Sequence, residues 1–387
     1  MTQRSSGTIV VHARGFGFVD LDDGAGSGFV APPELNPFLA GDRVAALISE
    51  GTDGRLVATE VRLVTRSRSE LFGVVTRRNN RPFLRVDRTV ANTDWRLEGP
   101  GAAEATEGAL AVARVSASAD GGPVAVLERL VPAADASLER VRVRYELRTD
   151  YPMLPGAPAA SAADWRSGRR DLRDLPTITI DGPGSRDLDD AVAALPAGAD
   201  GGLRVLVSIA DVDALVPEGS PVDVEARARG TSVYLAGQVL NMLPPTLSED
   251  ALSLIAGVDR PTVTVELRLD PEGEVTAADI YPSIIRSHAR LTYEQVTAFL
   301  DRGEVGVIPA GVIATLRWLR TAGARLGAMR AARGGVELLR EEAYITVDET
   351  SREPTGIDAR DDGSANLLIE RLMVAANEAV AHWLVAR

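Results

Sequence analysis

From residue 8 to residue 65, apolar and polar positions alternate in short runs broken by Gly and Asp. Thr8-Ile9-Val10-Val11, Arg14-Gly15-Phe16-Gly17-Phe18-Val19, Gly28-Phe29-Val30, the stretch from Gly41 to Ile48 and that from Arg55 to Val61 read as strands. Strands at this spacing, with turn residues between them, predict a small barrel. Residues 70–131 look like a second, degraded copy: Leu71 to Val75, Arg81 to Val86, Leu110 to Val115 and Val124 to Glu128. Residues 132–175 are interrupted by Pro132, Pro152, Pro155 and Pro158 and read as a connector. Leu138 to Leu147 has room for one short helix or strand, and Ala157 to Ala163 reads as a mobile loop. From Pro176 on, the period switches between two and 3.6. Strands are expected at 177–181, 203–210, 262–269 and 275–287, and helices at 222–229, 293–301, 309–330 and 364–386. Val312, Leu316, Leu319 and Leu326 share helical spacing, as do Leu367, Leu368, Leu372, Met373, Ala376 and Val380. The expected organisation is multidomain: all-β units at 1–66 and 67–132, a connector at 133–175, and an α+β domain at 176–387.

Composition adds limits. The chain has 387 residues and no Cys, which removes disulfides and thiolate metal sites. No apolar run reaches the ~18–20 residues of a membrane span, and Met1 to Gly7 lacks a signal-peptide core. A cytoplasmic protein without membrane contact, and monomeric, is expected; the sequence names no protein partner. The net charge of −13 is unlike a simple nucleic-acid binder, but it is unevenly spread. Residues 1–170 hold 22 basic and 21 acidic side chains, against 20 and 34 in residues 171–387. Every basic residue is Arg, which forks onto phosphate and stacks on bases, and which a biased genome composition explains equally well.

The chemistry concentrates in one stretch. After the β-branched run Ile178-Thr179-Ile180, the chain turns through Gly182-Pro183-Gly184-Ser185, and Asp181, Asp187, Asp189 and Asp190 fall within ten positions. Carboxylates that close repel one another unless protons or a divalent cation sit among them, and hard oxygen donors suit Mg²⁺. A solvated surface turn is the plain alternative. A helix-loop-helix calcium loop is excluded, because Arg186 stands where Gly is needed and Val192 where Glu is needed. None of the three histidines, His12, His288 and His382, neighbours this cluster. In the first barrel, Phe16 and Phe18 point to one face because strand side chains alternate, and Phe29 can join them. With Arg14 beside them they read as a stacking platform for single-stranded RNA or as barrel core. Arg77, Arg78 and Arg81 around Asn79-Asn80 read equally as a phosphate-touching tip or a solvated turn.

The spacing Asp-x5-Asp-x-Asp-Asp after Ile-Thr-Ile, followed by Ala191-Val192, resembles the ribonuclease II and ribonuclease R family. Val207 to Val212, Arg229 to Leu235, Asn241 to Pro244, Ala289 to Tyr293 and Leu368 to Asn377 resemble further blocks of that family, in its order. The Gly-Phe-Gly-Phe-Val string resembles a cold-shock domain's RNA-binding strand. The resemblance implies two cold-shock-like OB barrels followed by an α+β RNB catalytic domain. It implies a Mg²⁺-dependent hydrolytic exoribonuclease that digests single-stranded RNA from the 3′ end to nucleoside 5′-monophosphates. By resemblance, Asp181 and Asp190 bind Mg²⁺, Asp187 and Asp189 complete the site, and turnover depends most on Asp189. Tyr234 would stack on the terminal bases, and Tyr293 and Glu370 would contact the terminal ribose. The family's second clamping aromatic is replaced here by Leu338, so the base grip and final product length are expected to differ. In the family the catalytic domain runs on past the position of Arg387, with a basic segment whose Arg steadies the scissile phosphate and then an RNA-binding barrel. A chain ending at Arg387 is therefore expected to hold only the N-terminal portion of the catalytic domain: it is a fragment, or the rest exists as separate sequence, or the chain lacks that transition-state stabilisation. A non-catalytic RNA-binding protein is the competing reading. A weaker one takes Asp187-Leu188-Asp189 as a phosphatase nucleophile pair.

Overall fold

A computed structural model describes residues 3–51, 54–117, 123–151, 165–235, 238–336, 342–348, 354–360 and 363–387. Strands β1 (Gln3–His12), β2 (Phe16–Leu21), β3 (Ser27–Val30), β4 (Arg43–Glu50) and β5 (Leu56–Thr65) close a barrel in the order β1-β2-β3-β5-β4. Alternation turns Ile9, Val11, Val19, Leu21, Val44 and Ile48 inward. A one-turn helix, α1 (Pro32–Leu35), starts on Pro, which lacks the N–H a helix start would leave unpaired, and Leu35 adds to the barrel core. Strands β6 (Glu70–Arg78), β7 (Arg81–Val86), β8 (Trp95–Glu98), β9 (Leu110–Ala117) and β10 (Pro123–Val131) close a second barrel with the same strand order.

The repeat extends to register. Gly7 pairs with Leu21 across β1 and β2, and Gly73 with Val86 across β6 and β7. A Cβ at Gly7 would lie 2.3 Å from the Asp20 carbonyl oxygen, and one at Gly73 2.4 Å from that of Arg85, so both closures require glycine. The sequence reading misses β8, which is only four residues long although Trp95 and Leu97 turn inward in alternation with Arg96 and Glu98. The Asn79-Asn80 turn is a two-residue hairpin with both residues at positive φ. Two of its three arginines are engaged within the barrel, and Arg81 is exposed. Arg77 donates to the Asn80 and Ala105 carbonyls, and Arg78 pairs at 2.7 Å with the fully buried Asp94.

Helix α2 (Ala136–Arg144) settles the first part of the connector: its Val143 packs with Phe72, Val112 and Val131 of the second barrel. Ala157–Ala163, the expected mobile loop, lies outside the described residues.

The second unit is built on seven strands: β11 (Arg170–Asp171), β12 (Ile178–Asp181), β13 (Asp190–Pro196), β14 (Leu203–Ala210), β17 (Asp259–Leu269), β18 (Val275–Arg286) and β19 (Ala289–Thr292). Their order is β11-β18-β17-β14-β13-β12-β19. The pair β15 (Val233–Leu235) and β16 (Gln238–Leu240) forms a separate hairpin after α3 (Pro221–Arg229). Helices α4 (Tyr293–Arg302), α5 (Ile313–Ala332) and α6 (Ser364–Val385) contribute Val296, Leu316, Leu319, Leu368 and Leu372 to one core with Ile178, Val192 and Val205 of the sheet. Ala191, Ala193 and Leu206, from alternate positions, join a second core with Leu188, Leu215, Leu247 and Leu252. The sheet is thus buried on both faces. No described helix is long and apolar enough to cross a membrane. The pattern misses three strands of this sheet: β11, two residues that lie in the expected connector, β13, which opens on a charge and is rich in alanine, and β19, which is four residues long and ends in the capping box Thr292/Gln295 of α4.

Candidate active site

Asp181 ends β12 and Asp190 begins β13, so the acidic loop 182–189 links two neighbouring strands. Between the paired acids lies Leu188, which is 3% exposed and belongs to the second core. Burying Leu188 turns the side chains on either side of it, Asp187 and Asp189, away from that core. Both line a cavity of about 600 Å³ with Ile209, Val216, Tyr234 and Leu243.

The loop's backbone is tied down by residues far away in sequence. Ser253, fully buried, donates from Oγ to the Arg186 carbonyl at 2.7 Å and accepts from the Leu188 N–H at 3.2 Å. The Leu254 N–H donates to the Leu188 carbonyl, and that of Ala210 to the Asp189 carbonyl, both at 2.9 Å. Arg290 on β19 donates to the carbonyls of Ser185 at 2.6 Å and Pro183 at 3.1 Å. Ser253 and Arg290 are positioning residues that the sequence reading did not single out. Ser253→Ala leaves the Leu188 N–H and Arg186 C=O unpaired, at a cost of about 1–3 kcal/mol. If the loop serves catalysis, this variant should cleave roughly ten- to a hundredfold more slowly, because small misplacements of reacting groups carry such costs. Affinity for RNA in EDTA should stay as in wild type. Wild-type single-turnover rates in the variant would separate the loop's position from the chemistry.

The electrostatics are those of an uncompensated acidic site. Burial, then the charge of Asp190, pushes Asp181 up to about 7 against the pull of Arg290, with Asp187 and Asp189 adding to the rise. Burial and Asp189 push Asp190 up to about 6. Asp189 is raised by desolvation first and then by Asp187, although the residue keeps one face to solvent. The Asp181 Oδ2 is buried with no hydrogen-bond partner. An orphaned buried carboxylate oxygen among other carboxylates is the donor chemistry that suits a hard divalent cation. Among the described residues, no three His, Asp or Glu side chains converge as a ready cation cage, so the fit is one of donor set and charge.

Tyr234, on β15, is 70% exposed and its hydroxyl donates to Asp187 Oδ2 at 3.2 Å. Tyr293 opens α4 directly after Thr292, which pairs with Asp181 across β12 and β19, and its ring packs partly buried against the first core. Glu370 on α6 is paired with Arg330 at 3.7 Å. Neither Tyr293 nor Glu370 lines the cavity that holds Asp187 and Asp189. Leu338 lies outside the described residues. Arg186 is largely exposed and reaches Glu249 at 3.5 Å. No histidine lines the cavity.

In the first barrel, Val19 and Leu21 fill the core, while Phe16, Phe18 and Phe29 lie on the outer surface, partly exposed. The centroid separations are 5.8 Å for Phe16–Phe18, 5.9 Å for Phe18–Phe29 and 6.3 Å for Phe16–Phe29, and His12 stacks on Phe16 at 4.5 Å. A Cβ at Gly17 would stand 2.6 Å from the Val10 carbonyl, so glycine between the two rings is needed for closure. Arg14 is exposed in the adjoining turn. In the second barrel, Phe83 occupies the register of Phe18 alone, with Arg78 over its ring.

Residues 7–63 match the family model of the Ribonuclease B OB domain, and residues 169–387 that of the RNB domain. Ribonuclease R of Escherichia coli (strain K12) is 30% identical over 389 residues, which is 97% of this chain and 48% of that protein. The chain spans about half the length of the curated ribonuclease R relatives it matches over 97% of its own length. Among solved structures, the apo form of Mycoplasma genitalium RNase R superposes with a TM-score of 0.84 at 24% identity, covering 98% of this chain and 62% of that one. Yeast Ssd1, described as a pseudonuclease, shares the fold with a TM-score of 0.63 at 17% identity, over 95% of this chain and 53% of its own. With an OB barrel followed by an RNB domain that covers more than half of its length, the chain belongs to the RNB family, to which ribonuclease R belongs.

Proposed function

We propose that this chain carries the catalytic carboxylates of a Mg²⁺-dependent exoribonuclease that hydrolyses single-stranded RNA from its 3′ end and releases nucleoside 5′-monophosphates. The observation that carries the reading is the quartet Asp181, Asp187, Asp189 and Asp190, with its orphaned Asp181 Oδ2 and with Asp181 and Asp190 pushed up by burial and by the charge of their neighbours. The fold alone does not decide activity, since a pseudonuclease shares it. The side chains have to carry the argument, and all four carboxylates are present. The names of the relatives agree with this reading, being ribonucleases R and an exoribonuclease 2.

Asp181 and Asp190 would hold Mg²⁺, with Asp187 and Asp189 completing the site. A bound divalent ion supplies positive charge for the phosphoryl oxygens and lowers the pKa of a water nucleophile. Asp187 and Asp189 face the cavity and border the path of the scissile phosphate; Tyr234, hydrogen-bonded to Asp187, steadies that carboxylate and offers its exposed ring to a base. Tyr293 beside Asp181, Glu370 and Leu338 are assigned to the terminal nucleotides, the first two through the ribose hydroxyls that distinguish RNA from DNA. Phe16, Phe18 and Phe29, with Arg14, offer the first barrel's stacking platform to bases of the RNA strand.

The test is a gel time course on a 5′-labelled single-stranded RNA with Mg²⁺ or EDTA. A ladder that shortens from the 3′ end only in Mg²⁺, with 5′-monophosphates as product, supports the proposal. Intact RNA that is bound equally in both buffers would make the chain an RNA-binding protein without catalysis. For the platform, Phe16→Ala with Phe18→Ala should weaken single-stranded RNA binding in EDTA about ten- to a hundredfold, since each stacked base contributes about 1–3 kcal/mol. Fluorescence anisotropy measures this, and affinity equal to wild type would take the rings out of the RNA path. Stability should change little, because these rings stand outside the barrel core.

A further inference from the structure

The N-terminal unit contains a cavity of a different character from the acidic one. It lies between α2 and the outer face of the second barrel, with a volume of about 270 Å³, just below the ~300–1,000 Å³ of small-molecule clefts. Phe72, Val86, Val90 and Val143 supply apolar walls, and Arg68, Arg85, Arg140 and Arg144 supply cations. Its two acids, Glu70 and Asp87, offset only part of that charge. Glu70 is already paired with Arg142 at 2.9 Å. Asp87 accepts from the Thr89 N–H and Oγ, which with the charges of Arg144 and Arg140 hold it below the usual carboxylate range. Arg85 reaches Asp94 only at 3.6 Å, and Asp94 is shared with Arg78 at 2.7 Å and Arg88 at 3.0 Å. Arg68 Nε is buried with no hydrogen-bond partner among the described residues, an orphan donor beside the cavity. The Arg140 guanidinium stands 5.7 Å from the Phe72 ring centroid, so a planar cation and a flat ring share one wall.

We propose that this groove binds a nucleoside phosphate group, with the base against Phe72 and Arg140 and the phosphate on Arg68 and Arg144. The pairing of a flat apolar wall with several guanidinium groups is what selects this class. Guanidinium groups fork onto phosphate oxygens, and both aromatic rings and guanidinium planes stack on bases. An acidic peptide would use the cations but not the flat wall. The groove is sized for one nucleotide, which is either free or one link of a longer RNA strand; both present the same chemistry. The site goes beyond the exoribonuclease reading and does not require it.

The experiment is photo-crosslinking of the whole chain in EDTA, where no RNA is consumed. One probe is azido-adenosine 5′-monophosphate and the other a short thiouridine-containing RNA, with the labelled peptides mapped after digestion. Labelling of Glu70–Val86 or of Ala136–Arg144 by either probe is expected, and it should fall about tenfold in Arg68→Gln/Arg144→Gln. Labelling by the free nucleotide alone identifies a mononucleotide site, and labelling by the RNA alone places the groove on the RNA path; both support the proposal. A melting curve checks the fold of the double variant, and Arg144→Gln by itself, at an exposed position, replaces it if it melts early. No labelling of either segment, or labelling unchanged by the variants, overturns the proposal, whatever the outcome of the cleavage assay.

Discussion

Asp189→Asn should slow RNA cleavage in Mg²⁺ by about a thousandfold, while RNA binding in EDTA stays at the wild-type level. The side chains are nearly isosteric, and the backbone of Asp189 is fixed by its carbonyl, which accepts from the Ala210 N–H. Its position therefore survives the change, and only the charge is lost. Asp189 lines the cavity, stands next to Asp187 in the electrostatics of the site and keeps a face to solvent, so it meets both cation and substrate on the proposed reading. Single-turnover rates and anisotropy on the same preparations separate chemistry from binding. A variant that cuts within about threefold of wild type would remove Asp189 from the mechanism, since loss of a single charge-stabilising group ordinarily costs far more.

Asp181→Asn should raise the stability of the metal-free protein at neutral and alkaline pH. In the metal-free protein, burial and the charge of Asp190 push Asp181 up to about 7 from an ordinary value of 3.8. Between those values the folded state holds a proton that the unfolded state has released, so stability falls as pH rises from about 4 to about 7 and stays low above it. Asparagine carries no such penalty. The variant should therefore be more stable than wild type in EDTA at pH 8, by on the order of 1–3 kcal/mol after discounting for the partial exposure of the site. Near pH 4 the two proteins should melt together. Mg²⁺ should raise the melting temperature of wild type and leave the variant nearly unmoved, because a ligand that binds only the folded state stabilises it. Coincident melting curves in EDTA at pH 8 would show that the carboxylates are neutralised in some other way. Loss of activity alongside the gain in stability would mark Asp181 as a group kept for function at a cost to the fold.

Much of this architecture is legible in the sequence because it is local. Period-two alternation identifies nine of the ten barrel strands, and the 3.6-residue spacing marks α5 and α6. The Phe-Gly-Phe string contains its own geometry: alternation sends both rings to one face, and Gly17 lets the strand close on Val10. Which face they take, the outer surface and not the core, follows only once Val19 and Leu21 are seen to fill the barrel. The arginines around Asn79-Asn80 could not be assigned from sequence. The Ala105 carbonyl and the buried Asp94 that engage Arg77 and Arg78 lie in loops 28 and 16 residues further along the chain.

The acidic site divides in the same way. Four aspartates within ten positions are a property of consecutive residues, and the crowding of like charge can be read from the chain itself. What the sequence by itself determined is therefore the period of each element, the turn between Asp181 and Asp190, and the type of chemistry the cluster can support. The tertiary structure decided where those groups point. Leu188 must enter a core assembled from segments as distant as Leu252, and Ser253 and Arg290 pin the loop from positions 65 and 105 residues away from the groups they hold. The order of strands in the sheet brings them together, and that order comes from the burial of both faces at once, a collective quantity that no stretch of neighbouring residues contains.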